Sequence, residues 1–218
     1  MDNALTLINT SDAEPDEAKQ LLRSAVRKER KRRAKKARRD FSETWIDTVL
    51  RFTQGRESVA CYVSTPTEPA TEDLIDALYD AGKTVVLPKL GPGLTRAWGL
   101  YRGRDDLQQL APGRPPEPSG EAFPNTYLAS VDAIIMPALA IAHDGSRLGQ
   151  GGGWYDRVLK EVRPETLIGA MVFPWEFVDR DLPQEELDVK IPYVILPDRW
   201  VSTTAADPDG ARPLGEIA

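Results

Sequence analysis

The sequence predicts a single α/β domain with a mostly parallel sheet and helices on both faces. Three observations lead there. Residues 58–63 (SVACYV), 71–80 (TEDLIDALYD) and 84–87 (TVVL) form a strand-length apolar run, an amphipathic helix and a second strand. Such a succession is the pattern of a parallel βαβ unit. Residues 131–136 (VDAIIM) are the clearest buried strand, and a glycine-rich turn and another helix follow them. Finally, 218 residues suit one domain better than two.

The elements follow in chain order. Residues 1–15 are polar and acidic without periodicity, and are expected to be a disordered tail. From Ala18 to Arg39 the residues are strong helix formers, with Leu21, Leu22, Ala25 and Val26 as an apolar stripe. Ser42, followed by Trp45, Ile46, Val49, Leu50 and Phe52, predicts a second, capped helix. After the βαβ unit, whose second strand is expected to stop at Pro88, residues 96–101 predict another strand. Residues 111–120 (APGRPPEPSG) hold five prolines and two glycines and predict an irregular, functional loop. A helix is expected over 154–162 and strands over 166–172 and 191–196. The domain is expected to run from 16 to 201, with 202–218 loose.

Composition narrows the function classes. The 41% hydrophobic and 28% charged residues are ordinary for a folded protein. The single cysteine, Cys61, permits no internal disulfide and fits a reducing compartment. No apolar run is long enough for a membrane span, and the N-terminus lacks a secretion signal's basic start and apolar centre, so a cytoplasmic protein is expected. The net charge is −6, yet residues 27–39 (RKERKRRAKKARR) carry ten basic side chains and one Glu. Such a block binds nucleic acid, binds phosphates within a pocket, or simply faces water.

The stretch that carries chemistry is 143–156, HDGSRLGQGGGWYD. Glycines at 149, 151, 152 and 153 sit between a strand and a helix. They let the backbone turn tightly and aim successive N–H groups into a concavity that suits phosphate. The positive end of the following helix adds to this. Arg147 offers a planar cationic fork, and Asp156 offers the carboxylate that Mg²⁺ takes beside substrate phosphate and water. The spacing is neither the P-loop nor the dinucleotide fingerprint. The plainer alternative is a flexible turn with Asp156 as a helix cap.

Residues 147–156, RLGQGGGWYD, resemble the RLGxGxGYYD signature of the 5-formyltetrahydrofolate cyclo-ligases, also called methenyltetrahydrofolate synthetases. Further segments are similar in the same order: 19–23 (KQLLR), 64–72 (STPTEPATE), 82–88 (GKTVVLP), 131–139 (VDAIIMPAL) and 186–188 (ELD). The likeness spans about 18 to 200 and implies a NagB/RpiA/CoA-transferase-like fold. It implies an ATP-dependent ligase converting 5-formyltetrahydrofolate to 5,10-methenyltetrahydrofolate with Mg²⁺. It places ATP on Lys19, Arg23, Arg147, Leu148, Gly149, Gln150, Gly151, Gly152, Gly153, Trp154 and Tyr155. It places the folate on Val63, Glu68, Gln150 and Trp154, and Mg²⁺ on Asp156 and Asp188, with Arg147 and Asp156 catalytic. Two positions depart from the family's usual residues: Leu187, where many bacterial members have His, and Gln150, where Arg or Tyr is common.

Other residues read more plainly. His143, the lone histidine, reads as a surface polar residue rather than a base, and Cys61 as core. Trp154 and Tyr155 either stack on a flat ring or anchor their helix. Trp98, Phe173, Trp175 and Phe177 are core aromatics by default and otherwise walls of the folate pocket. The alternatives are an ATP-binding relative with another substrate, a nucleic-acid-binding module and a CoA-transferase-like or sugar-phosphate isomerase relative. A soluble monomer acting on small molecules, without membrane or nucleic acid, is expected.

Overall fold

The computed structural model describes residues 5, 8–10, 12–91, 93, 95–110 and 112–206. Its centre is a seven-stranded sheet in the order β12-β11-β9-β6-β1-β2-β3. The strands are β1 (Ser58–Ala60), β2 (Thr84–Leu90), β3 (Arg96–Leu100), β6 (Ala133–Pro137), β9 (Leu167–Met171), β11 (Tyr193–Ile195) and β12 (Trp200–Ser202). The five inner strands run parallel, and β3 and β12 close the two edges antiparallel. β4 (Leu107–Gln108) and β5 (Glu117–Pro118) pair beside β2, and the second of these lies inside the proline-rich loop.

Alternation along the strands sorts the core into two layers. Val59, Cys61, Val85, Leu87, Ala133, Ile135 and Met171 pack with α1 (Pro15–Phe52) and α2 (Glu72–Asp80). Ala60, Val86, Ile134, Met136, Ala170 and Val172 pack on the other face with α3 (Trp154–Leu159) and the 3₁₀ helix Asn125–Ser130. Helices therefore cover both faces, as expected.

Four expectations are corrected. The two helices predicted before residue 53 are one, 38 residues long and about 57 Å from end to end. Pro15 at its first turn and Asp16 and Glu17 beside it suit the start. Nothing near Ser42 breaks it: no Gly or Pro intervenes, and Ser42 Oγ donates back to Arg39 O at 3.3 Å instead of capping. β2 runs through Pro88 to Leu90. Pro88 lies opposite Trp98, whose own N–H and C=O bond to Phe123. This is therefore a pair that needs no N–H from proline. α3 ends at Leu159 rather than 162, and β1 at Ala60 rather than 63.

A second, three-stranded sheet escaped prediction. β7 (Ala140–Ala142) pairs with β8 (Arg147–Leu148) and β10 (Phe177–Val178). Ala140, Ala142, Leu148 and Val178 pack on Leu22 and Val26 of α1. Within the segment read as a disordered tail, Leu5 is buried in this cluster, and Arg180 donates to Leu5 O and Ile8 O at 2.5 and 2.9 Å. Of the tail expected after 201, Thr203 is buried, and residues 207–218 lie outside the described residues.

Candidate active site

Chain order reverses between β1 and β6: β1 leads to β2 on one side, and β6 to β9 on the other. Ligands of open α/β sheets bind beyond the carboxyl ends of strands at such a point. A cavity of about 680 Å³ lies there, bordered by Val63 after β1, Lys89 near the end of β2 and Pro137 at the end of β6. Its size suits a small-molecule ligand. Every residue singled out above for ATP, folate or metal lines it.

The glycine loop forms one wall. Gly151 has φ 101° and Gly153, the N-cap of α3, has φ 56°, conformations that a side chain would strain. A Cβ on Gly151 would also stand 3.3 Å from Arg23 Cζ. Because α3 has only six residues, its dipole is short, and an anion here would be held by loop N–H groups and arginines rather than by the helix end.

α1 brings cations to this wall. Arg23 Nε donates to Gly149 O at 3.0 Å. Arg27 Nη2 donates to Gln150 O at 3.2 Å and to Gln150 Oε1 at 3.1 Å. Lys19 Nζ, 5% exposed, pairs with Glu185 and Asp188, each at 2.5 Å. Burial would lower the Lys19 pKa, but these two carboxylates raise it. Asp188 is thus committed to Lys19.

Arg147 Nη2 lies 2.7 Å from Asp156 Oδ1, which also accepts Val189 N–H at 3.3 Å. Burial would raise the Asp156 carboxyl, but the Arg147 guanidinium holds it below the usual carboxylate range. Among the described residues no three His, Cys, Asp or Glu gather as a metal cage. Mg²⁺ does not need one, since it binds through one or two carboxylates plus phosphates and water. An ionised Asp156 beside a phosphate-sized cradle fits it. Asp188 lines the same cavity, with its carboxylate engaged by Lys19.

Glu68, 5% exposed, accepts Thr65 N–H at 2.8 Å and Thr65 Oγ1–H at 2.9 Å. Its other oxygen accepts Gln150 Nε2–H at 3.3 Å. Arg38 pins the same turn by donating to Glu68 O at 2.7 Å, Thr65 O at 3.0 Å and Ser64 Oγ at 3.2 Å. Trp154 is 7% exposed; it stacks on Trp98 with centroids 5.0 Å apart and meets Tyr155 at 4.9 Å. It serves chiefly as an anchor of α3.

Several wall residues were missed. Arg96, Arg114, Glu117 and Glu185 line the cavity, and Lys89 lies 3.5 Å from Glu117. For Arg114 and Glu117 the proline content of 111–120 was the one signal; Arg96 and Glu185 had none. His143 packs against Phe177 at 4.2 Å and Cys61 is buried, its thiol pushed up to about 12 by desolvation; neither lines the cavity. Nor do Trp98, Phe173, Trp175 or Phe177.

Comparison with known proteins places the chain in a family. Residues 15–197 match the 5-formyltetrahydrofolate cyclo-ligase family. A 5-formyltetrahydrofolate cyclo-ligase of Mycolicibacterium smegmatis is 30% identical over 190 residues, covering 84% of this chain and 96% of that one. One from Escherichia coli K12 is 32% identical over 145 residues, covering 65% and 79%. The NMR structure of Aquifex aeolicus 5,10-methenyltetrahydrofolate synthetase has a TM-score of 0.70 at 25% identity, covering 91% of this chain and 97% of that one. With the family match running through α1, the sheet and the glycine loop alike, this chain belongs to the 5-formyltetrahydrofolate cyclo-ligase family.

Proposed function

We propose that the chain closes the ring of 5-formyltetrahydrofolate to 5,10-methenyltetrahydrofolate, using ATP and releasing ADP and phosphate. The observation that carries it is the convergence of the glycine loop, Arg147–Asp156 and Glu68 on one cavity. An N-formyl oxygen is a poor leaving group. In the reaction it bonds to the γ-phosphorus while the bond from phosphorus to the ADP oxygen breaks. The folate's N10 then attacks the formyl carbon and loses its proton, the carbon–oxygen bond breaks, and phosphate leaves.

The chain's tasks are positioning and charge stabilisation. Main-chain N–H groups over 149–153, with Arg147, hold the phosphates. Lys19 and Arg23 add positive charge from α1, and Leu148 and Tyr155 back the loop. Glu68 accepts hydrogen bonds from the donor-rich pterin edge, and Val63, Gln150 and Trp154 border the same space. Mg²⁺, when bound, neutralises phosphate charge, and Asp156, with Asp188 nearby, would hold it.

The reading carries with it a cytoplasmic monomer acting on small molecules. The one cysteine is buried and unpaired, and no helix among the described residues is long and apolar enough to cross a membrane. Nucleic acid is not favoured, because Arg27, Arg30 and Arg38 of the basic block bond inward to the protein. The test is a spectrophotometric assay for methenyl product with 5-formyltetrahydrofolate and MgATP. Product requiring both ATP and Mg²⁺ supports the reading. No product from folded, ATP-binding protein would favour a relative with another substrate. Asp156→Ala is expected to abolish Mg²⁺-dependent turnover with the fold intact, and full activity would remove Asp156 from the site.

A further inference from the structure

Five arginines meet the glycine loop, and four have donors already committed. Arg23 donates to Gly149 O, Arg27 to Gln150, and Arg157 to Gly152 O at 3.1 Å, while Arg147 pairs with Asp156. Lys19, on the same wall, is neutralised by Glu185 and Asp188. Arg96, the first residue of β3, differs. Its side chain makes no hydrogen bond or ion pair among the described residues. Its guanidinium carbon lies 5.2 Å from the Trp154 ring centroid. It is exposed and lines the cavity, and its Nη2 is 3.7 Å from where a Cβ on Gly152 would stand.

A guanidinium that already serves a protein acceptor is held to that geometry and has fewer N–H groups left to meet a ligand. Stacking on an aromatic face orients a guanidinium and leaves its in-plane donors unspent. Arg96 is thus a pre-oriented, uncommitted cation against the backbone turn best suited to phosphate. Arg114 also lines the cavity without an ion pair, but among the described residues no aromatic face orients its guanidinium as Trp154 orients Arg96.

We propose that Arg96 is a phosphate-binding residue of this site, its guanidinium gripping the polyphosphate of a nucleotide laid along residues 149–153. The proposal rests on the nucleotide-binding part of the function above. A role confined to covering Trp154 predicts instead that Arg96 has no preference among ligands.

The test is calorimetric titration of wild type, Arg96→Gln and Arg96→Lys with ATP, inorganic triphosphate and 5-formyltetrahydrofolate. Arg96→Gln is expected to raise the Kd for ATP and for triphosphate about 10- to 100-fold, leaving the folate within about twofold. Arg96→Lys should fall between, since an ammonium keeps the charge but loses the fork. Equal losses for phosphate ligands and folate, or no loss for triphosphate, overturn the proposal. If Arg96→Gln does not fold, Arg96→Lys carries the same comparison. Wild type that binds triphosphate through Arg96 yet never forms methenyl product sinks the ligase reading and spares this one. Wild type that binds neither ATP nor triphosphate sinks both.

Discussion

The two ends of α1 share one rigid rod and do different work. Over 15–39 its buried side chains include Lys19, Arg23 and Arg30, whose charged ends meet carbonyls and carboxylates of the site loops. Over 40–52 they are Trp45, Thr48, Val49 and Phe52, packed against the sheet and on Phe173 and Trp200. Arg30 links the two modes. It donates to Glu176 at 2.7 and 2.8 Å and to Ala138 O at 2.6 Å, all out of water. Burial works against its charge, but the Glu176 carboxylate holds its pKa up. The apolar end fixes the helix to the sheet, and the cationic end thereby reaches the glycine loop. Positive charge in a sequence therefore says little about partners until the side chains are placed.

Variants can break this division of labour. Trp45→Ala should cost about 3–5 kcal/mol of stability in urea unfolding, with turnover of the remaining folded enzyme unchanged. Arg30→Met should cost a comparable ~3–5 kcal/mol by stranding Glu176. Arg30→Met combined with Glu176→Leu should recover much of that, and a double variant no better than the single would refute pairing as the cause. Arg38→Gln loses its charged bonds to the 64–68 turn; a rise of about tenfold in KM for the folate is expected, with KM for MgATP little changed.

Acid titration gives a smaller effect. The folded-state pKa of Asp156 lies below its ordinary value, so its contribution to stability is complete above the ordinary carboxylate range. That contribution is lost as pH falls through the lowered value. Asp156→Asn should flatten that acid limb, and an unchanged limb would break the link to Arg147. Smallest of all, Lys36→Ala should leave the urea midpoint unchanged, because its pair with Asp40 lies in solvent.

The βαβ unit, the strand before the glycine turn and the irregular proline loop were legible because each is a local pattern. The site was legible where its residues sit in one stretch, as 147–156 do. Legibility ended where strands of two or three residues form β7, β8 and β10, too short for any periodicity to register. It ended also at residue 42, where a serine imitates a cap although the helix continues. Glu185 and Arg96 stayed hidden for a different reason. Each matters through one distant neighbour, Lys19 in one case and Trp154 in the other.

The sequence by itself determined the layering of apolar strands and helices and a glycine turn able to approach an anion. These follow from alternation, propensity and the freedom of residues without a Cβ. Only the tertiary structure decided where the ten cations of 27–39 point. A helix charged on every face has no preferred side of its own. Its orientation was settled when the apolar end at Trp45 and Val49 docked on the sheet. That docking turned Arg27 and Arg30 toward acceptors 123 and 146 residues along the chain, and Arg38 toward the turn at 64–68.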